Sequence, residues 1–131
     1  MPTAYAYEPF SDPRDGDLWL SPSANYNNPV KGNYAFATLL HEIGHTMGLK
    51  HGHEVDQCGN GAVFPVLPAQ YDAMEYSIMT YRSYGGASTN FYANESNGYA
   101  QSLMMADIAA IQNMYGANFN TCKPDVWKFR Q

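Results

Sequence analysis

The sequence carries HEIGHTMGLKH at His41–His51, which follows the zinc-site pattern H-E-x-x-H-x-x-G-x-x-H. His41 and His45 are four residues apart, so on an α-helix their side chains lie on one face, one turn apart. Two imidazoles can then reach one ion at about 2.0–2.1 Å. Gly48 is where the helix should end, because glycine readily adopts the left-handed conformation that reverses the chain. That reversal would bring His51 to the same ion.

Glu42 follows the first predicted ligand, so its side chain is rotated away from the metal direction. It can approach a metal-bound water without binding the metal. Three protein ligands leave the fourth position of a tetrahedral zinc ion open for water, which is typical of a catalytic site rather than a structural one. The shorter H-E-x-x-H pattern occurs by chance, but Gly48 and His51 at the expected offsets make a chance match rare.

A second motif, SIMTY at Ser77–Tyr81, stands downstream of the zinc motif. Together the two motifs resemble those of the metzincin metalloproteases. The resemblance implies that Met79 is the methionine of the Met-turn, an apolar floor beneath the histidines that does not bind the metal. Without the zinc motif, a methionine at this place would be interpreted as ordinary core.

Within the metzincins the chain is most similar to the serralysins, which are secreted bacterial proteases. The similarity extends to AYAY at Ala4–Tyr7, GDLW at Gly16–Trp19 and DIAAIQNMYGAN at Asp107–Asn118. The resemblance implies that Tyr81 binds zinc in the resting enzyme and swings away to stabilise the reaction intermediate; the alternative is a tyrosine packed in the turn. It also implies that an extended substrate pairs with the upper rim of the cleft. The predicted rim residues are Ala4, Tyr5, Ala6 and Tyr7.

The predicted fold class is α+β, a metzincin-like zincin fold in one domain over residues 1–131. We expect an active-site helix, a C-terminal helix, long loops and a small β-sheet with strands at Ala4–Glu8 and Leu18–Leu20. The metzincin upper subdomain has a larger twisted sheet, whereas only 40 residues precede His41 here. The sheet is therefore expected to be incomplete, with the N-terminal part of the upper subdomain absent. Gly52–Glu75 is expected to be mostly irregular.

Two helices are predicted from capping residues and from apolar spacing. Asn33 can cap a helix that runs to about Leu49, with a core face made of Phe36, Leu39, Leu40, Ile43 and Met47. The second helix is predicted from near Ser102 to Tyr115, followed by Gly116. Its buried stripe is predicted to be Met104, Ile108, Ile111 and Tyr115. Asp107 would lie in its first turns, where negative charge suits the helix dipole; a further strand is predicted at Val126–Phe129.

Two cysteines, Cys58 and Cys122, lie in loop-like sequence. A bridge between them would close a long loop and stabilise the fold by about 4 kcal/mol on the chain-entropy model. A disulfide is favoured over two free thiols. Neither cysteine has a C-x-x-C partner, so a thiolate zinc site is not expected.

The composition limits the kinds of partner that we expect the chain to bind. The net charge is −5 without a basic patch, so nucleic acid is not an expected partner, and no apolar run reaches membrane-spanning length. The resemblance implies a secreted, extracellular bacterial protein, and we expect a monomer. Calcium ligands are possible at Asp12, Asp15 and Asp17, but these fit a turn better, and the calcium-binding nonapeptide repeats are absent from the sequence.

The predicted function is that of a zinc-dependent metalloendopeptidase acting on proteins or peptides. His41, His45 and His51 would bind zinc, and Glu42 would be the general base that takes the proton of the attacking water. Alternatives are a non-catalytic, zinc-stabilised peptide-binding module, an inactive fragment, or a peptidase like the matrix metalloproteinases. The fourth histidine, His53, is expected to be a solvated loop residue without a role at the metal.

Overall fold

A computed structural model describes residues 3–9, 12–57, 63–89 and 94–118. The predicted disulfide between Cys58 and Cys122 and the predicted strand Val126–Phe129 lie outside the described residues. Two helices and two small antiparallel sheets agree with the predicted α+β class. Within the described ranges, neither helix combines the length and the apolar character needed to cross a bilayer.

The first sheet has two antiparallel strands, β1 at Ala4–Ala6 and β2 at Leu18–Leu20. β2 has the predicted bounds, whereas β1 ends two residues before the predicted Glu8. Tyr5 lies opposite Trp19, and their rings stack with centroids 6.3 Å apart on an exposed face. Since side chains alternate along a strand, the other face carries the alanine and leucine side chains. Helix α1, at Tyr34–Thr46, contacts both strands.

Helix α1 begins at the predicted capping residue, and the chain reverses at the predicted glycine. The side chain of Asn33 accepts a hydrogen bond from the backbone N–H of Phe36 at 2.9 Å, which satisfies one free donor of the first turn. The helix ends at Thr46, three residues before the predicted Leu49. The reversal occurs at Gly48, with a φ of 90° that favours glycine.

The predicted core face of α1 is partly wrong. Ile43 is 44% exposed, and of the other predicted core residues Leu40 packs against the core. The helix instead buries Ala35, Ala37, His41, Glu42 and Gly44. These positions include the three- and four-residue spacings that define one helical face, and Ile43 is rotated by about 100° from Gly44. The buried positions of α1 are therefore small residues, a histidine and an acid.

Helix α2 spans Met105–Tyr115 and is followed by Gly116 with a φ of 81°. The predicted buried stripe is wrong at two of its four positions, because Ile108 is exposed and Tyr115 is 61% exposed. The residues of this region that pack against the core are Leu103, Met104, Ala110 and Ile111. Asp107 lies at the centre of this face and is only 2% exposed. A buried carboxylate therefore fixes the rotation of α2, and apolar spacing alone did not reveal this.

A second antiparallel pair, β3 at Asp56–Gln57 and β4 at Val63–Phe64, lies within the segment predicted to be mostly irregular. Strands of two residues are too short to produce a recognisable alternation. The buried core gathers around the SIMTY segment, and partly buried side chains of both helices pack against it. It consists of Ala37, Leu49, Met74, Ile78, Met79, Tyr99 and Ala100. The segment beneath the histidines is therefore the centre of the core.

Candidate metal centre

The three histidines of the motif converge through their Nε2 atoms. The Nε2 atom of His41 lies 3.2 Å from that of His45 and 3.1 Å from that of His51, and the last two are 3.1 Å apart. Helix α1 places the first two, one turn apart, as predicted. The chain reversal at Gly48 places the third, and the backbone N–H of Leu49 donates to Gly44 O at 3.0 Å to hold that reversal.

This triangle of nitrogens fits a tetrahedral metal ion. An ion bound at about 2.0–2.1 Å to three nitrogens in tetrahedral geometry requires nitrogen separations of about 3.3 Å. Burial lowers the pKa of all three imidazoles, and that of His41 falls to about 3. Neutral imidazoles have a free lone pair for a metal, and three of them with an open fourth position form a donor set typical of zinc.

Each histidine uses its other ring nitrogen for a hydrogen bond to an acceptor oxygen. The bonds are from His41 Nδ1 to Ile78 O at 2.8 Å, from His45 Nδ1 to Leu49 O at 2.7 Å, and from His51 Nδ1 to Glu54 Oε2 at 2.7 Å. Because carbonyls and carboxylates accept, Nδ1 carries the hydrogen in each ring. Nε2 is then left with its lone pair facing the centre, which is the arrangement a metal requires.

Glu54 is a residue that sequence reasoning missed. Burial raises the pKa of its carboxyl group, but the hydrogen bond and the Coulombic attraction of His51 and its neighbouring histidines outweigh this and lower the pKa overall. Carboxylates bonded to the distal nitrogen of a ligand histidine orient the ring and raise its basicity. The available signal was an acid three residues after the third histidine.

Glu42 is 6% exposed, and its Oε2 atom has no hydrogen-bond partner among the described residues. Burial raises the pKa of this carboxyl group to about 7. Buried polar atoms usually have partners, so an unpaired carboxylate oxygen beside a metal centre suits a water held by the metal. A pKa near neutrality also suits proton transfer.

Met79 packs directly against α1, at the helix face that carries the histidines. A Cβ atom placed on Gly44 would lie 2.5 Å from the Sδ atom of Met79. Met79 is fully buried, as expected for an apolar floor. The close approach of Met79 to Gly44 was not inferred from the sequence, because the contact comes from a segment 35 residues away.

Tyr81 lies beside the histidines. Its ring centroid is 4.5 Å from that of His51 and 5.6 Å from that of His41. Burial raises the pKa of the phenol, and the charges of Glu54 and Glu42 raise it further. The phenol therefore keeps its proton near neutral pH and can donate a hydrogen bond.

His53 was expected to be a solvated loop residue, and its side chain is partly buried, with 23% exposed. Its ring lies parallel to that of His51, with the centroids 5.4 Å apart, and 5.2 Å from the ring of Tyr81. His51, His53 and Glu54 also form a second group of ligand atoms close enough for a metal ion. Because this group shares His51 with the first triangle, it is an extension of the same centre.

Two buried carboxylates hold the SIMTY segment from its two ends. Asp107 accepts from Ser77 Oγ at 2.6 Å and from the backbone N–H of Ile78 at 2.9 Å. Asp72 accepts from Thr80 Oγ1 at 2.6 Å and from Arg82 Nε at 2.9 Å. Asp72 received no assignment from the sequence, since an acid outside a motif gives no signal of its burial.

The predicted rim, Ala4 to Tyr7, lies in and just after β1. The segment that follows it approaches the metal centre, where Glu8 Oε1 is 3.8 Å from His45 Nδ1. No strand among the described residues pairs with the edge of β1 that faces away from β2. The chain therefore brings a strand end to the histidines, and its part in substrate binding stays a prediction.

The chain is similar to several bacterial metalloproteases over most of its length. The chain is 36% identical to metalloprotease AprA of Pseudomonas entomophila, over 93% of this chain and 26% of that protein. It is 38% identical to serralysin C of Dickeya chrysanthemi and 32% identical to serralysin of Proteus mirabilis, over 90% and 92% of this chain and 24% of each relative. The chain thus spans about a quarter of the length of these relatives. The predicted resemblance to serralysins is confirmed.

The two helices and the small sheet fit part of a zincin-like fold. The model of one protein family, described as metallo-peptidase family M12, matches residues 3–92. That range holds the nitrogen triangle, Glu42 and the whole SIMTY segment. Since the match covers more than half of the sequence and includes every predicted ligand, the chain belongs to the metallo-peptidase family M12.

Proposed function

We propose that this chain is a zinc-dependent metalloendopeptidase domain with a metzincin-like fold over residues 1–131. The observation that carries the proposal is the triangle of Nε2 atoms, with edges of 3.1–3.2 Å, beside a buried carboxylate that has an unpaired oxygen. His41, His45 and His51 are the proposed ligands. The names of the relatives, metalloprotease and serralysin, agree with this activity.

The proposed chemistry assigns one task to each residue. A bound zinc ion would supply Lewis acidity, which lowers the pKa of a bound water and polarises the scissile carbonyl. Glu42 accepts the proton of the attacking water and delivers it to the leaving amine. Its pKa of about 7 suits both transfers at neutral pH. The hydrogen bonds at the three Nδ1 atoms hold the imidazole rings in the orientation that this geometry needs.

Tyr81 is the proposed donor to the oxygen that becomes negatively charged in the tetrahedral intermediate. Its ring lies within 4.5 Å of the ring of His51, and its raised pKa keeps the phenolic proton available. A donor aimed at a developing oxyanion contributes typically about 10²-fold or more to turnover. Met79 is the proposed Met-turn residue, which supports the histidines through packing and does not bind the metal.

An extended protein or peptide is the proposed substrate, pairing with β1 along its outer edge. Main-chain hydrogen bonds to an added strand require no particular side chains, so the sequence preference is expected to be broad. A secreted bacterial location is part of the same proposal and is supported by the serralysin relatives. A monomeric state is proposed with it. Zinc is the proposed ion; calcium has no comparable donor set among the described residues.

The test is cleavage of an unfolded protein by the zinc-loaded chain, run beside Glu42→Gln. The substitution keeps the size of the side chain and removes its ability to accept a proton. We expect turnover that a chelator abolishes and that Glu42→Gln lowers by at least about 10³-fold, with one zinc per chain in both proteins. Bound zinc without turnover in the unsubstituted chain would instead indicate a zinc-stabilised peptide-binding module, and peptide binding would then be measured directly.

A further inference from the structure

A buried acid that the proposed mechanism does not use lies beside the metal centre. Asp72 is 3% exposed, and its two oxygens bind the residues on either side of Tyr81. Oδ1 accepts from Thr80 Oγ1 at 2.6 Å, and Oδ2 accepts from Arg82 Nε at 2.9 Å. Thr80 Oγ1 also accepts from the backbone N–H of Arg82 at 3.1 Å. The backbone of Tyr81 is therefore held from both directions by one carboxylate.

The backbone and side chain of Arg82, which follows Tyr81, also bind other parts of the fold. Arg82 O accepts from the backbone N–H of Met74 at 2.9 Å, and the guanidinium of Arg82 donates to Ala87 O. Thr80 is completely buried. The position of Tyr81 along the chain is thus determined by buried contacts, while its own ring extends over the histidines.

The same carboxylate lies against the chain that carries the third histidine. A Cβ atom on Gly52 would lie 3.1 Å from Asp72 Oδ1 and 2.8 Å from Leu67 Cδ1. Gly52 is also fixed by its carbonyl, which accepts from the backbone N–H of Leu67 at 2.8 Å. Because Gly52 directly follows His51, Asp72 lies between the backbone of a proposed ligand and the backbone of the proposed donor.

We propose that Asp72 is a positioning residue that sets the separation between Tyr81 and His51, and so the reach of the phenol toward the metal. This inference rests on the proposed role of Tyr81. Charge-assisted hydrogen bonds from a hydroxyl and a guanidinium are short and directional, which suits a group that fixes a distance. The ring separation of 4.5 Å between Tyr81 and His51 is the quantity that Asp72 controls.

The first test is a double-mutant cycle with Asp72→Asn and Tyr81→Phe, measured as kcat and KM. Asparagine keeps the size and one acceptor but loses the charge-assisted bond to Arg82. We expect Asp72→Asn to lower kcat about 10-fold with little change in KM, as displacement of a reacting group does. In the Tyr81→Phe protein the same substitution should change kcat by less than about 2-fold. Equal effects in both backgrounds would overturn the inference.

A second readout does not depend on turnover. A metal ion that binds the oxygen of Tyr81 displaces the phenolic proton, and copper(II) bound by a phenolate absorbs visible light through ligand-to-metal charge transfer. The copper-loaded chain should show this absorption, Tyr81→Phe should abolish it, and Asp72→Asn should weaken or shift it. If the unsubstituted zinc protein proves inactive, the proposed function fails, yet the copper spectra still decide whether Asp72 positions Tyr81. Spectra of Asp72→Asn identical to those of the unsubstituted chain, or no Tyr81-dependent band, would contradict the inference.

Two further variants test whether the effect is specific to the contacts of Asp72. Arg82→Gln removes one partner of the carboxylate and keeps the bond between Asp72 and Thr80, so it replaces Asp72→Asn if that protein does not fold. It should move the copper absorption in the same direction. Glu75→Gln removes an exposed carboxylate three residues from Asp72 and should leave kcat and the spectrum unchanged. A change of equal size in Glu75→Gln would show a general effect of charge and overturn the assignment.

Discussion

Asp107 and His41 bind opposite ends of the same residue. The Asp107 carboxylate accepts from the backbone N–H of Ile78 at 2.9 Å, and the carbonyl of Ile78 accepts from His41 Nδ1 at 2.8 Å. All three residues are buried. One amino acid therefore links the first turn of α2 to the first proposed metal ligand. Asp107 also accepts from the backbone N–H of Met104 at 2.8 Å, at the start of its own helix. The same carboxylate therefore stabilises α2 and orients the imidazole of His41.

We expect Asp107→Ala to destabilise the metal-free chain by about 2–4 kcal/mol, because the substitution leaves buried donors without partners. Zinc affinity should fall as well, since the Ile78 carbonyl is no longer held in place. Urea unfolding with a chelator present and competition for zinc measure the two effects. Asp17→Asn, an exposed acid in the turn before β2, is the control and should change neither quantity. Unaltered unfolding of Asp107→Ala would show that the carboxylate contributes nothing to the fold.

Glu54→Ala is expected to weaken zinc binding by about 10–100-fold, because the partner of His51 Nδ1 is lost and the ring can rotate. Glu54→Gln keeps an acceptor but removes the charge, so its effect should be smaller. Zinc affinity measured by chelator competition distinguishes the two variants. Glu95→Gln, an exposed acid away from the histidines, provides the charge control. Equal affinities for the Ala and Gln variants would mean that only the charge of Glu54 matters.

The spacing of residues in the sequence predicted those features of the metal centre that depend only on neighbouring residues. The spacing of His41 and His45, the cap at Asn33 and the reversal at Gly48 each depend on a few neighbouring residues, and all three are found. The centre also uses bonds between distant segments, such as the one from His41 to Ile78, and spacing within a motif does not encode these. The same reason explains why the rotation of α2 was predicted incorrectly: a carboxylate at position 107 faces inward.

Gly44→Ala tests the contact between α1 and the proposed Met-turn. Alanine favours a helix over glycine by about 1 kcal/mol, so an open site would gain stability. The new Cβ atom would instead meet Met79 Sδ at 2.5 Å, and we expect a net loss of about 1–3 kcal/mol. Urea unfolding of Gly44→Ala, Met79→Ala and the double variant forms the cycle. If the loss from Gly44→Ala is as large in the Met79→Ala protein, Met79 is not the obstructing group.

The pH dependence of the metal-free chain follows from two groups with opposite shifts. Burial lowers the pKa of His41 from 6.5 to about 3, so below pH 6.5 the unfolded chain binds a proton that the folded chain does not. Stability from this group is present above pH 6.5 and is lost as the pH falls, by about 1.4 kcal/mol per pH unit. His45 and His51, whose pKa values burial also lowers, act in the same direction.

Glu42 acts in the opposite direction over part of this range. Burial raises its pKa from 4.5 to about 7, so the folded chain keeps a proton that the unfolded chain releases, and stability falls as the pH rises from 4.5 to 7. Glu42→Gln removes this opposing contribution. The unfolding free energy of the variant should therefore rise more steeply with pH than that of the unsubstituted chain between pH 4.5 and 7, exceeding it by up to about 3 kcal/mol at pH 8. Below pH 4.5 the two slopes should be equal, because Glu42 is protonated in both states. Urea unfolding in chelator from pH 4 to 8 measures both curves, and parallel curves across the whole range would mean that the Glu42 carboxyl is solvated in the folded chain.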